Sequence, residues 1–173
     1  MLPTAHAFIT LILWWFLKSF FNVNDFYLIP MIIFGVMIDA DVIYDKMHRG
    51  LITHTFTFWI PICFLLALYS PLLGFIAFLS VTVHLLMDMI DYKIRPFYPI
   101  LDKWVGLGLV NKYHERRDTL LGNLLLNLKT PPVLVIELII DIIGFLVFIV
   151  SFETILSIIM NFLSFLFSAI LIR

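Results

Sequence analysis

Imidazoles and carboxylates recur in this chain at spacings that suit a shared metal ion. His84-Leu85-Leu86-Met87-Asp88 is the strongest local pattern, because positions i and i+4 of an α-helix lie about 40° apart and one turn up, on one stripe. Asp91, at i+7 from His84, extends that stripe. Upstream, Asp39-Ala40-Asp41 precedes His48-Arg49-Gly50-Leu51-Ile52-Thr53-His54-Thr55, and His6 stands near the start. Asp39 and Asp41 can address one site only where a helix ends, since residues two apart on a continuous helix face nearly opposite ways. Imidazole and carboxylate suit Zn²⁺, Mn²⁺ or Fe²⁺, and with Cys63 the lone cysteine a catalytic site is expected rather than a structural zinc. Plainer readings use the same residues: His84 paired with Asp88 or with a polar group of another helix, and an ordinary charged loop around Asp45, Lys46 and Arg49.

The elements that must position these residues are membrane helices. Of 173 residues, 62% are hydrophobic and 13% charged, and the mean hydropathy is +1.07; a soluble domain of this size cannot hide so much apolar surface. A net charge of −1 excludes an overall electrostatic footprint for nucleic acid. No run of about ten residues alternates as a membrane β-strand would, so an all-α, polytopic transmembrane helical bundle is expected. Met1-Leu2-Pro3-Thr4 lacks the basic start of a signal peptide, and the first apolar stretch is expected to be kept.

Crossing about 30 Å of hydrocarbon takes roughly 20 helical residues. Six runs come near that length, with four to six expected to cross: Ala5 to Phe21, Phe26 to Ile38, Leu51 to Tyr69, Pro71 to Ile90, Val133 to Val150 and Thr154 to Ile172. The second is short, holds Pro30, and either crosses with Asp39 and Asp41 in its end or re-enters. Ser70-Pro71 should break the chain into a tight antiparallel hairpin. A polar loop follows from Asp91 to Asp118, then an interfacial amphipathic helix over Thr119 to Leu128, ended by Thr130-Pro131-Pro132. The organisation expected is a single integral membrane domain over 1–173, with a metal-site region in 1–99, the loop and interfacial helix in 91–131, and a C-terminal membrane hairpin in 132–173.

Threading six spans puts every lysine and arginine except Lys18 on one side, which the positive-inside rule makes cytoplasmic. His6, His48, His54, His84, Asp39, Asp41, Asp88 and Asp91 fall at that same end, as metal sites built from facing helices require. An integral protein of the cytoplasmic membrane, with its site and most loops cytoplasmic, is therefore the expectation.

The string Asp39-Ala40-Asp41, His48-Arg49-Gly50, Thr53-His54-Thr55 and His84-x3-Asp88, with the early His6, resembles the LexA-regulated, membrane-bound metal-dependent hydrolase family, whose pattern is similar to that of zinc-dependent phospholipase C. The resemblance runs from about His6 to Pro99. It implies metal ligands His6, Asp39, Asp41, His54, His84 and Asp88, with His48 and Arg49 beside them toward substrate. Downstream the chain offers only His114-Glu115, so one or two ions are expected, zinc first and Mn or Fe otherwise. Such a site lowers the pKa of bound water and polarises the scissile group. Asp41 or Asp91 could act as general base, and Arg49 could hold a phosphate bidentately or anchor at headgroups. A site at the membrane surface points to a lipid or lipid-linked phosphoester as substrate and membrane lipid as partner.

Glu137 and Asp141, spaced i, i+4 in the fifth run, support a competing expectation, a divalent-metal or proton transporter with the histidines as a gate. A third is a non-catalytic membrane protein with a structural metal site. Arg116 and Arg117 could meet anionic headgroups or form a solvated face.

Overall fold

The computed structural model describes residues 3–39, 52–110, 125 and 129–171. Six α-helices are described and no strand among these residues: α1 Pro3–Phe21, α2 Leu28–Val36, α3 Phe56–Tyr69, α4 Pro71–Asp91, α5 Pro131–Val150 and α6 Phe152–Leu171. Three contain stretches long and apolar enough to cross a membrane, Thr4–Phe21, Pro71–Asp91 and Pro131–Val150; Phe56–Tyr69 and Phe152–Phe165 are shorter apolar helical stretches. Their outer faces carry exposed large apolar side chains such as Phe64, Leu68, Phe75, Ile139 and Phe145, the surface that lipid rather than water solvates. The expected interfacial helix over 119–128 lies almost wholly outside the described residues.

The second run differs most from expectation. Its α-helix is only nine residues long, flanked by 3₁₀ turns at Asp25–Tyr27 and residues 37–39. A 3₁₀ turn rises about 2.0 Å per residue against 1.5 Å in an α-helix, so Asp25 to Asp39 still reach about 25 Å, close to the length of α1. This returns the chain to the end of the bundle where α1 began. Pro30 is tolerated because it lies in the first turn of α2, where an N–H has no intrahelical acceptor. At the far end, Asn22 ends α1 with φ 52°, a left-handed conformation that Asn adopts more readily than most residues.

Ser70 does double duty at the next turn. Its backbone N–H closes α3 on the Leu66 carbonyl at 2.8 Å, and its hydroxyl accepts from Leu73 N at 3.4 Å to start α4, with Pro71 at the first helical position. The two helices form the expected hairpin, and they approach so closely at Gly74 that a Cβ there would sit 2.6 Å from Ala67 Cα. Gly74→Ala is accordingly expected to push the helices apart and cost about 1–3 kcal/mol. Thermal unfolding in detergent checks this, and an unchanged midpoint would contradict the close crossing.

Helix α4 is the central element, packing against α1, α2 and α3, while α5 lies along α1. Gly144 of α5 faces Phe8, whose Cγ would be 2.5 Å from an added Cβ. Two apolar clusters form the interior. One joins Leu11, Trp14, Leu28, Met31, Ile76 and Ile158 toward the far end; the other joins Ile38, Trp59, Val81, Leu85 and Ile94 toward the end where α4 finishes. The described part of the polar loop is an ordered structure. Ile94 and Val105 exchange backbone hydrogen bonds of 3.0 and 2.8 Å, and Leu107 N donates to the Met89 carbonyl at 2.7 Å.

Candidate metal centre

Five of the residues singled out in the sequence converge at one end of this bundle. His6 comes from the first turns of α1, Asp39 from the end of the segment that follows α2, His54 from a 3₁₀ turn before α3, and His84 with Asp88 from one stripe of α4. Asp88 is the hub. Its carboxylate oxygens lie 3.5 Å from His6 Nε2, 3.2 Å from His54 Nε2 and 3.5 Å from His84 Nε2. Asp39 faces the same three imidazoles at 3.9, 3.5 and 3.6 Å.

These separations carry chemical information. Good N–H···O hydrogen bonds measure 2.7–3.2 Å, whereas donors bound at about 2.0–2.1 Å around one tetrahedral ion lie about 3.3–3.4 Å from each other. One ligand atom from each of His6, Asp39, His84 and Asp88 falls within 4.8 Å of all the others, and the group could hold a metal ion. His54 adjoins this group through both carboxylates. With the imidazoles neutral, as metal ligands are, the two carboxylates would carry a charge of −2 that a divalent cation would neutralise; a like-charged pair left alone in an apolar interior is costly.

Each imidazole is held by its own element. His84 Nδ1 lies 2.7 Å from the Gly35 carbonyl, so Nδ1–H donates there and the Nε2 lone pair turns toward Asp39 and Asp88. A backbone carbonyl in this role sets the tautomer and ring orientation of metal-binding histidines generally. The His6 ring stacks on that of His84, centroids 4.0 Å apart and planes inclined by 17°. Both His6 nitrogens and His84 Nε2 are buried with no hydrogen-bond partner among the described residues, as donors kept for an ion would be. For His54, the surrounding threonines build the turn: Thr55 Oγ1 donates to the Ile52 carbonyl at 2.5 Å and accepts from Phe58 N at 3.3 Å, capping α3. Trp59 Nε1 donates to the Thr53 carbonyl at 2.6 Å. The Thr53-His54-Thr55 string is thus a helix start that presents an imidazole.

Four of the five side chains are essentially buried, and Asp39, at 11% exposure, is the one through which the group meets its surroundings. A carboxylate ligates metal as the anion.

The remaining sequence candidates fall elsewhere. Asp41, His48 and Arg49 lie outside the described residues. Asp91 is fully buried one turn beyond Asp88 but is not in the converging group. Glu137 is buried, between Ile136 and Ile140, which pack with Ala5 of α1 and Met87 of α4. Asp141 is half-buried, with its Oδ1 shielded, so Glu137 is wholly inside and Asp141 partly so.

Sequence reasoning missed Gly35 and Thr10. An added Cβ at Gly35 would collide with Thr10 Oγ1 and lie 3.1 Å from Thr10 Cγ2, so α1 and α2 touch backbone-close here. Thr10 itself donates to the His6 carbonyl at 2.8 Å. The signal was a single glycine among bulky residues in Ile33-Phe34-Gly35-Val36, a common mark of close approach. No family model matches this chain, and no curated protein and no solved structure matches it either.

Proposed function

We propose that this chain is a membrane-embedded, metal-dependent hydrolase that cleaves an ester, most readily the phosphoester of a lipid or lipid-linked molecule, at the cytoplasmic face. The observation that carries the reading is the meeting of His6, Asp39, His54, His84 and Asp88 from four separate segments around one point. The resemblance to the LexA-regulated hydrolases and to zinc-dependent phospholipase C supplies the reaction class. Nitrogen and carboxylate donors without thiolate suit zinc first, and manganese or iron as well. When bound, a divalent ion of this kind supplies Lewis acidity and activates water at neutral pH.

The protein's own share is positioning. Asp39 and Asp88 provide the negative charge, the Gly35 carbonyl aims His84, and the stacked His6 ring cannot swing away without leaving the interior. Asp39 marks the side from which a substrate reaches the group, and this end of the bundle lies beside the ordered polar loop, where lipid headgroups would sit. Asp91 is the described candidate for accepting the proton released in hydrolysis, and Asp41 the candidate in the adjoining segment; Arg49 and His48 are the candidates for holding a phosphate.

Cleavage of a chromogenic phosphodiester in detergent micelles, with and without added Zn²⁺ or Mn²⁺, tests the reading. Glu137→Gln is expected to leave that cleavage within a factor of about two, since it adds no ligand to the group, whereas removal of ligands abolishes it. Metal or proton flux into liposomes that is lost in Glu137→Gln, without any hydrolysis by the wild type, would overturn the hydrolase in favour of a transporter.

A further inference from the structure

The polar loop between α4 and residue 110 carries an apolar tip that no helix among the described residues covers. Phe97, Ile100, Leu101, Trp104, Val105 and Leu107 are exposed, Ile100 by 82%, in a segment that contains no regular secondary structure. Exposure on the outer face of a spanning helix is what lipid demands; the same exposure in a connecting loop calls for a separate explanation.

Three observations locate this tip. First, backbone hydrogen bonds fold the loop back onto the ends of the helices: Leu107 N and Gly108 N donate to the Met89 carbonyl at 2.7 and 3.3 Å, and Phe56 N donates to the Pro96 carbonyl at 2.6 Å. Gly106, at φ 131°, has space for no side chain because a Cβ would meet the Met89 carbonyl at 2.6 Å. The loop is therefore held level with the last turn of α4 and the first of α3. Second, its apolar surface continues the lipid-facing surface of the bundle, since the Phe97 ring lies 5.7 Å from that of Phe56, which lies 6.4 Å from that of Phe78 on the exposed face of α4. Third, basic residues flank the apolar ones. Residues 92–110 hold Lys93, Arg95 and Lys103 against Asp102 alone, a net +2. The Arg95 guanidinium lies over the rings of Tyr98 and Trp104, at 4.4 and 4.9 Å from their centroids, and 3.3 Å from Asp102. Aromatic rings interleaved with cations are the composition that settles at the headgroup level of a bilayer, apolar bodies inward and charged ends outward.

We propose that residues 97–107 are an interfacial membrane anchor that inserts into the bilayer beside the metal centre and recognises anionic phospholipid headgroups through Lys93, Arg95 and Lys103. Neutral lipid provides the apolar part of the attraction and anionic lipid the charged part, so depth should respond to lipid charge. The proposal does not depend on whether the centre hydrolyses anything.

A nitroxide label at Ile100→Cys, in a Cys63→Ala background, reads the insertion directly from its accessibility to oxygen and to a water-soluble nickel chelate. The full-length protein is reconstituted into phosphatidylcholine vesicles and into vesicles with phosphatidylglycerol added. The expected result is high oxygen access with loss of nickel access, and a further loss of nickel access when phosphatidylglycerol is present. Lys93→Gln/Lys103→Gln should remove that further loss while keeping the label shielded in phosphatidylcholine. Free access of nickel in both vesicles would overturn the anchor, and equal shielding in both would overturn headgroup recognition. Spin–spin broadening between labels, independent of lipid composition, would assign the tip to a second copy of the chain and also overturn the proposal. Because Ile100 is exposed, an unchanged circular dichroism spectrum of the labelled protein serves as the check that the fold is intact.

Discussion

Replacing His84 by alanine and Asp88 by asparagine together is expected to eliminate metal binding and to lower metal-dependent phosphoester cleavage by about 10³-fold or more. Asp88 touches all three imidazoles of the group, and His84 touches both carboxylates, so the pair removes one donor of each kind and breaks four of the six imidazole–carboxylate contacts. A bound ion contributes several kcal/mol of charge stabilisation to hydrolysis, and each 1.36 kcal/mol is tenfold in rate. Asparagine keeps the volume of Asp88, and alanine removes the buried imidazole with the loss of one hydrogen bond, to the Gly35 carbonyl; circular dichroism and gel filtration in detergent, expected to match the wild type, check that the fold is kept. Cleavage rates equal to the wild type in such matched protein would show that this group does not carry the reaction.

Gly35→Ala should weaken metal binding by about 10–100-fold although residue 35 offers no side-chain ligand. The Gly35 carbonyl orients His84, and loss of an orienting partner of that kind typically costs a factor of this size. The added methyl would meet Thr10 Oγ1, with Cγ2 at 3.1 Å and Cβ at 3.2 Å, so α2 must move away from α1 and take its carbonyl along. A second substitution separates this cause from general damage. Thr10→Ala removes Oγ1 and Cγ2 and leaves only the Cβ contact, so Gly35→Ala/Thr10→Ala should recover most of the affinity. Titration with Zn²⁺ against a competing chelator measures both variants. A double variant no better than Gly35→Ala alone would contradict the proposed contact.

Much of this arrangement is legible in the sequence, for identifiable reasons. The hairpin at Ser70-Pro71 follows from proline chemistry, and the His84/Asp88 stripe follows from helix periodicity; both are local. The gathering of His6, Asp39 and His54 at the same end follows from threading apolar runs back and forth, which a membrane makes nearly obligatory. Tertiary detail is less accessible. The partner of His84 is a carbonyl, which any residue could supply, 49 positions away, and only the lone glycine hints at the close contact behind it. The second run was difficult because its length lies between those of a crossing and a re-entrant segment. The 3₁₀ turn at Asp25–Tyr27 that lengthens it starts from Asn24, whose Oδ1 accepts from Phe26 N at 2.9 Å, a cap that in the sequence reads equally as an ordinary turn. The i, i+4 rule places Glu137 and Asp141 on one side of α5, and the roughly 40° between them is why Glu137 is fully buried and Asp141 only half-buried.

The central claim is that three imidazoles and two carboxylates form a metal centre, and metal content tests it most directly. Protein purified in detergent without chelator, assayed by inductively coupled plasma mass spectrometry after exhaustive dialysis, is expected to carry about one or two divalent ions per chain, zinc foremost, a nitrogen and carboxylate site being well suited to it. The His84→Ala/Asp88→Asn protein, prepared identically, should carry none. Wild-type protein without stoichiometric metal, even after incubation with Zn²⁺, Mn²⁺ and Fe²⁺, would contradict the account and leave the cluster as polar packing between helices.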